Sequence, residues 1–153
     1  MKSITTSIEI NAPAAKVREF FLDYKNHKNW NPFLVNFEKY TNKSKEELLV
    51  GDRLKIDMKP KGNSSPMSMY PTVLVNDEYE FKWLGVLWFN WLFSGAHSFK
   101  FDKIDGNTTK LVQSEIFGGI LIPLFNWMGI FEQTEGSFIL LNEALKEQVE
   151  SLD

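Results

Sequence analysis

The feature that most constrains this fold is a long run of strand-like segments that ends in a single amphipathic helix. Residues 33–117 alternate between apolar and polar positions and are interrupted by short polar turns, a pattern typical of antiparallel strands. From Trp127 to Gln148, one stripe of mainly apolar side chains recurs every three or four residues. We therefore predict an α+β fold in which a curved antiparallel sheet wraps around a long C-terminal α-helix.

The N-terminal segment predicts one more strand and two short helices. Residues 4–10 alternate in polarity and indicate a half-buried strand. Residues 11–13 end this strand at a proline, which favours the first turn of a helix. Residues 23–30 indicate a second short helix. No linker or repeat divides the chain, so we expect one domain over residues 1–153.

Two hairpins are predicted within the strand-rich region. The first joins residues 67–75 to residues 79–83 about Asn76-Asp77, with its register left open. The second joins residues 94–104 to residues 108–117 about the loop 105–107. A further turn is predicted at residues 61–64.

The alternation in the second hairpin brings three polar side chains to its apolar face. A three-residue loop places His97 opposite Glu115 and Phe99 opposite Gln113. Buried polar groups need hydrogen-bond partners, so His97, Gln113 and Glu115 must satisfy one another or a ligand. Three interpretations stay open: a structural hydrogen bond, recognition of a ligand, or an acid/base pair formed by His97 and Glu115.

The segment 86–93 is unusual because it is apolar where a polar turn is expected between two strands. Its aromatic side chains are Trp88, Phe89, Trp91 and Phe93. We predict that these four form a lid over a pocket. The alternatives are ordinary core packing and a contact surface for a protein partner or, transiently, a membrane.

Composition excludes several classes of function. The net charge of −3 argues against nucleic-acid binding, because such proteins normally carry a basic face. The chain has no Cys and only two distant His, so we expect neither a metal site nor a cofactor. Segment 116–131 is too short and too interrupted by Gly and Pro to span a membrane. Residues 1–6 lack the apolar run of a signal peptide, which predicts a cytoplasmic protein.

Several short segments of the sequence together point to one known family. The segments are Ile10-Asn11-Ala12-Pro13 with Val17, Trp30-Asn31-Pro32-Phe33, Gly51-Asp52-Arg53-Leu54, Pro71-Thr72-Val73-Leu74, Trp83-Leu84-Gly85, Gly95-Ala96-His97-Ser98-Phe99, Val112-Gln113-Ser114-Glu115 and Phe117-Gly118-Gly119. No single motif is specific, but their order and spacing cover nearly the whole chain. Together they resemble the START-like (SRPBCC) superfamily of the polyketide cyclase/dehydrase and lipid-transport type.

The resemblance implies a helix-grip fold with a cavity between the sheet and the C-terminal helix. It implies binding of a lipid, sterol, polyketide or other amphipathic molecule, and family members include both carriers and cyclases. We therefore predict a module that binds a small hydrophobic or amphipathic ligand. The alternatives are a cyclase/dehydratase-type enzyme and an interaction protein acting through segment 86–93. The expected ligand contacts are Trp30, Pro32, Met69, Trp83, His97, Phe99, Gln113, Glu115, Phe117, Phe125, Phe138 and Leu141.

Overall fold

The computed structural model describes residues 1–63 and 65–152. The strands are β1 Lys2–Ile10, β2 Leu34–Lys39, β3 Leu54–Met58, β4 Met67–Met69, β5 Thr72–Asn76, β6 Glu80–Val86, β7 Ser94–Asp105 and β8 Thr108–Gly118. The α-helices are α1 Ala14–Leu22, α2 Ile122–Trp127 and α3 Ile130–Glu150, and a 3-10 helix spans Tyr24–Asn29. The predicted turn at 61–64 includes Ser64, which lies outside the described residues.

The strands form two antiparallel sheets. The larger sheet has five strands in the order β1-β8-β7-β6-β5, and the smaller sheet has the order β2-β3-β4. An isolated bridge between Arg53 and Thr72 connects them. The long helix α3 packs its buried stripe, which includes Phe138, Leu141 and Leu145, against the larger sheet. The predicted α+β helix-grip architecture is confirmed.

The second hairpin has the predicted register. His97 pairs with Glu115, Phe99 with Gln113 and Phe101 with Leu111. At the turn, however, Asp105 pairs with Thr108, and a bulge leaves Ile104 unpaired. The loop is therefore one residue shorter than the predicted three-residue turn. The bulge at Ile104 accommodates the extra strand residue, so the pairing along the rest of the hairpin is as predicted.

The first hairpin differs from its prediction. Residues 67–75 do not form one strand, because the chain breaks at Tyr70-Pro71 and places β4 and β5 in different sheets. Proline has no N–H to donate to a strand ladder, which accounts for the break. The hairpin that remains pairs Val75 with Lys82 and Asn76 with Phe81.

The C-terminal stripe also begins later than predicted. Gly129 adopts a left-handed conformation with φ of 76° and separates α2 from α3. Trp127 therefore belongs to α2 and is 83% exposed instead of facing the sheet. At the other end Gln148 is exposed, and Val149 is the buried residue. Within the described residues, no helix combines the length and the apolar character needed to cross a bilayer.

Candidate functional site

Four side chains of the buried face form one closely packed group, called here the inner group: Trp83 of β6, His97 and Phe99 of β7, and Phe138 of α3. The His97 ring stacks on Phe99 at 4.5 Å and on Phe138 at 4.6 Å between centroids. Trp83 meets His97 edge to face at 5.1 Å. The histidine predicted to face the interior is therefore enclosed by three aromatic rings.

A chain of hydrogen bonds orients the imidazole. Gln113 Nε2 donates to the backbone oxygen of Phe138 at 3.1 Å and to Asn142 Oδ1 at 2.7 Å. Because a carbonyl oxygen only accepts, this end of Gln113 must be the NH2 group, and its Oε1 faces His97 Nε2 at 2.9 Å. His97 therefore carries its proton on Nε2, and its Nδ1 has a free lone pair. Asn142 in turn donates to Thr6 Oγ1.

The lone pair of His97 faces the side chain of Glu115. The distance from His97 Nδ1 to Glu115 Oε1 is 3.6 Å. Burial lowers the pKa of His97 to about 3, and the hydrogen bond with Gln113 only partly opposes this shift. The imidazole is therefore neutral at physiological pH, so the close approach to Glu115 is not an ion pair.

Glu115 itself is a largely buried carboxyl that makes no hydrogen bond to any other described residue. Its side chain is 13% exposed. Burial raises the pKa of Glu115 to about 8, from an ordinary value of 4.5. The carboxyl therefore carries a proton at neutral pH, and it can donate that proton in a hydrogen bond.

Gly95 explains why Glu115 can occupy this position. A Cβ atom built on Gly95 would overlap with Glu115 Oε2 and would lie 3.3 Å from Phe117 Cδ1. The carboxyl group thus takes the space that a side chain at position 95 would fill. A glycine inside a strand often marks such a close approach.

We expect Gly95→Ala to push the Glu115 carboxyl out of its buried position. The pKa of Glu115 should then fall from about 8 towards its ordinary value of 4.5. A 13C NMR titration of the Glu side-chain carboxyls measures this shift directly. Gly118→Ala is the matched control, because a Cβ there meets only Ser94 Oγ at an ordinary 3.6 Å. An unchanged Glu115 pKa in Gly95→Ala would contradict this role of the glycine.

The other predicted contacts lie in separate places. Phe117 and Phe125 belong to a second ring cluster, in which Phe93 stacks on Phe117 at 5.6 Å and meets Phe125 at 4.7 Å. Leu141 is fully buried on α3. Trp30 packs against Phe20 and His27, the Met69 methyl lies beside Gly85, and Pro32 lines a cleft.

The four predicted lid residues differ in burial. Phe93 is partly buried in the second ring cluster and packs like core. Trp88, Phe89 and Trp91 point outward and are 81%, 56% and 62% exposed. Segment 86–93 is therefore packed into the protein through Phe93, and the rings of Trp88, Phe89 and Trp91 are exposed to solvent.

Two clefts lie outside the inner group. One, of about 330 Å³, lies between the loop 59–63, Phe33 and the α3 residue Ser137. The other, of about 920 Å³, lies between α1 and the segment 46–50. Neither is lined by a member of the inner group. In that group the rings of Trp83, Phe99 and Phe138 each contact His97, so the side chains of the sheet and α3 pack directly against each other at this point.

Two buried donors near the interior have no hydrogen-bond partner among the described residues. They are the indole N–H groups of Trp30 and Trp83. Trp83 is fully buried, and its ring contacts His97. Unsatisfied buried donors of this kind are rare in a packed core.

Two residues of this site were missed by the sequence reasoning. Asn142 completes the network around Gln113, and its signal was a polar residue one turn after Phe138 on the buried stripe. Gly95 makes room for Glu115, and its signal was a glycine near the start of an alternating strand.

Solved structures share this fold at low sequence identity. The Zhui aromatase/cyclase from Streptomyces sp. R1128 has a TM-score of 0.76 at 12% identity, over 97% of this chain and 93% of its own. A START superfamily protein from Mycobacterium smegmatis has a TM-score of 0.72 at 15% identity, over 99% of both chains. Norcoclaurine synthase from Thalictrum flavum, in complex with dopamine and hydroxybenzaldehyde, has a TM-score of 0.71 at 14% identity, over 99% of this chain and 88% of its own.

No curated protein sequence matches this chain. The family described as polyketide cyclase / dehydrase and lipid transport matches residues 1–150, which is nearly the whole chain. The helix-grip architecture agrees with this match, and the resemblance noted in the sequence is confirmed. The chain belongs to the polyketide cyclase / dehydrase and lipid transport family.

Proposed function

We propose that this protein binds a small, uncharged amphipathic molecule between the larger sheet and α3, and that Glu115 and His97 recognise its polar group. The observation that carries the proposal is Glu115, a largely buried carboxyl that makes no hydrogen bond to another described residue, with the His97 lone pair 3.6 Å away. Leaving such a group without a partner is costly, which favours a partner supplied by a ligand. Strongly shifted pKa values also cluster at functional sites.

The charge state of the site defines the class of ligand. With Glu115 protonated and His97 neutral, the pair carries no net charge at neutral pH. A protonated carboxyl donates one hydrogen bond and accepts others, which suits a hydroxyl or carbonyl group. An anionic ligand would lose its hydration without meeting a cation. The site therefore favours uncharged lipids, sterols or polyketides that carry a hydroxyl or a carbonyl.

Access to this site requires aromatic rings to move apart. The 330 Å³ cleft is lined by Phe33. Phe33 contacts Phe138 at 5.9 Å, and Phe138 stacks on His97 at 4.6 Å. Two ring layers thus separate the cleft from the imidazole, and rotation of Phe33 and Phe138 opens a route for the ligand.

A second candidate function is dehydration or cyclisation by proton transfer. Glu115 holds a proton at neutral pH, and the neighbouring Nδ1 of His97 can accept one. In a dehydration, His97 takes the proton on the carbon next to a carbonyl while Glu115 protonates the departing hydroxyl. A carbon–carbon double bond forms and water leaves. Under this mechanism His97→Ala abolishes turnover and largely preserves binding, whereas loss of binding alone contradicts it.

The binding proposal is tested with two probes that differ by one hydroxyl group, 2-naphthol and naphthalene. We expect the protein to bind 2-naphthol about tenfold more tightly, because one hydrogen bond to Glu115 contributes about 1.4 kcal/mol. In Glu115→Met this preference should disappear, while the affinity for naphthalene changes little. Fluorescence titration measures both dissociation constants.

The matched control is Glu143, an exposed residue of α3, which is the helix that covers the site. Glu143→Met should retain the full preference for 2-naphthol. One contrary result is that the wild-type protein binds the two probes equally, and another is that the preference persists in Glu115→Met. Either result would show that Glu115 does not bind the hydroxyl group of the ligand. Failure of both probes to bind would count against an interior site.

A further inference from the structure

One end of the protein presents a continuous apolar surface, called here the apolar end face. It is formed by the segment between β6 and β7 together with the segment that contains α2. The two segments are joined by hydrogen bonds from Ile120 N to Trp91 O and from Leu121 N to Leu92 O, both 3.1 Å long. Its most prominent side chains are Trp88, Phe89, Trp91, Ile120, Leu124 and Trp127, all exposed.

These side chains are held outward by a built scaffold. Phe93 anchors the first segment by packing against Phe125 of the second. Gly119 has a φ of +113°, and a Cβ there would collide with the backbone of Leu92. Trp88 also has a positive φ, of 65°, which a non-glycine residue rarely adopts. A strained turn that exposes a tryptophan is a costly arrangement unless the exposed ring meets something.

The chemistry of the apolar end face distinguishes between partners. Segments 83–99 and 116–131 contain no Asp, Glu, Lys or Arg, although charged residues make up 24% of the chain. Asn90 and Asn126 are the only polar residues within 86–93 and 119–129 apart from the indole N–H groups. A protein interface normally carries about one hydrogen bond per 100–200 Å², and this face offers very few donors or acceptors.

An uncharged surface with three exposed tryptophans matches the interface of a lipid bilayer instead. Tryptophan is enriched where hydrocarbon meets headgroups, because its ring is apolar and its N–H can reach a polar group. At the rim, the Lys2 ammonium lies 5.5 Å from the Phe131 ring centroid, so it can approach lipid phosphates. Glu132 is also exposed at the start of α3, so the rim has no strong net charge.

We propose that the apolar end face docks on a phospholipid bilayer by inserting Trp88, Trp91 and Trp127 at headgroup depth. Insertion of uncharged rings provides the attraction, so docking does not require anionic lipid and is only weakly sensitive to salt. The face is separate from the inner group, and this proposal does not depend on the identity of an interior ligand.

The test uses vesicles of phosphatidylcholine, with and without bromine atoms on the acyl chains. We expect the protein to sediment with the vesicles and its tryptophan fluorescence to be quenched by the brominated lipid. Trp88→Ser/Trp127→Ser should lower the partition coefficient at least about tenfold, because it removes the two most exposed tryptophans. Raising the salt concentration to 0.5 M should change wild-type binding by less than about twofold.

The matched control is Val50→Ser/Tyr79→Ser, which removes two apolar side chains that are each 66% exposed. Tyr79 lies at the opposite end of β6 from segment 86–93. This variant should bind vesicles like the wild type, and far-UV circular dichroism should show all variants folded. The proposal is overturned if the wild type stays in the supernatant or if both double variants bind equally. A dimer that dissociates only in Trp88→Ser/Trp127→Ser, without vesicle binding, would assign the face to a second copy of the chain.

Discussion

Glu115→Gln is expected to abolish a contribution of Glu115 that destabilises the wild-type protein progressively as pH rises from 4.5 to 8. An ordinary Glu carboxyl, as in the unfolded chain, has a pKa of 4.5, whereas the pKa of Glu115 in the folded protein is about 8. Between these values the unfolded chain releases the proton and the folded chain keeps it. The contribution of Glu115 to the free energy of unfolding therefore falls by about 1.4 kcal/mol per pH unit as pH rises. Over the whole window this contribution of Glu115 falls by about 5 kcal/mol.

The measurement is urea-induced unfolding of both proteins at one-unit intervals from pH 5 to pH 9. The stability difference between Glu115→Gln and wild type should grow steadily up to pH 8 and then level off. Glu143→Gln, on the exposed side of α3, is the control for replacing a carboxyl by an amide at a site away from the interior. Parallel curves for Glu115→Gln and wild type would contradict a raised pKa at Glu115.

The two histidines act in a different pH range and with the opposite sign. Burial lowers the pKa of His27 to about 4 and that of His97 to about 3, from an ordinary value of 6.5. Their contribution to stability is fully present above pH 6.5 and is lost as pH falls. At lower pH the histidines bind protons in the unfolded chain but stay neutral in the folded protein. Between pH 6.5 and pH 8, Glu115 is therefore the one of these three groups whose contribution to stability still changes with pH.

Phe138→Ala is expected to destabilise the protein by about 4 kcal/mol and to create an interior binding site for a small aromatic molecule. Phe138 is fully buried, and its ring separates Phe33 from His97. Deleting a buried phenyl ring removes its transfer free energy and leaves a cavity, which together cost about 3–5 kcal/mol. The cavity would lie behind the 330 Å³ cleft that Phe33 lines. Benzene entering it should then restore part of the lost stability.

Thermal unfolding with and without saturating benzene measures this rescue. Ile139→Ala is the matched control, because Ile139 is the next residue of α3 and is 44% exposed. It should lose little stability and gain nothing from benzene. An equal response of the two variants to benzene would show that the route from the cleft to His97 does not open.

The inward orientation of His97, Gln113 and Glu115 could be predicted because it depends on local information alone. Strand residues alternate between faces, and the position of the turn determines which residues are opposite each other. The prediction survived an error at the turn, since the bulge at Ile104 kept the two strands in phase. Local information failed at Tyr70-Pro71 and Gly129, where one backbone conformation redirects the chain between two predicted segments.

Other features of the site depend on residues that are distant in the chain. Asn142 reaches Gln113 from α3, and Thr6 reaches Asn142 from β1. No periodicity within one segment reveals such contacts, because they arise from how helix and sheet are placed together. The exposure of segment 86–93 is a similar case: its apolar composition fits a core equally well, and only the packing of Phe93 and α2 turned its other rings outward.

By itself, the sequence determined the α+β class and the inward face of the β7–β8 hairpin, because periodicity and turn chemistry act over a few residues. The order and spacing of its short segments indicated the family. Only the tertiary structure decided that the interior rings are in contact, that Glu115 occupies the space beside Gly95, and that His97 carries its proton on Nε2. These properties follow from burial and from hydrogen bonds between different elements. Burial also shifts the pKa values of His97 and Glu115, because a charge that has lost its hydration becomes unfavourable only once the whole chain has closed around it.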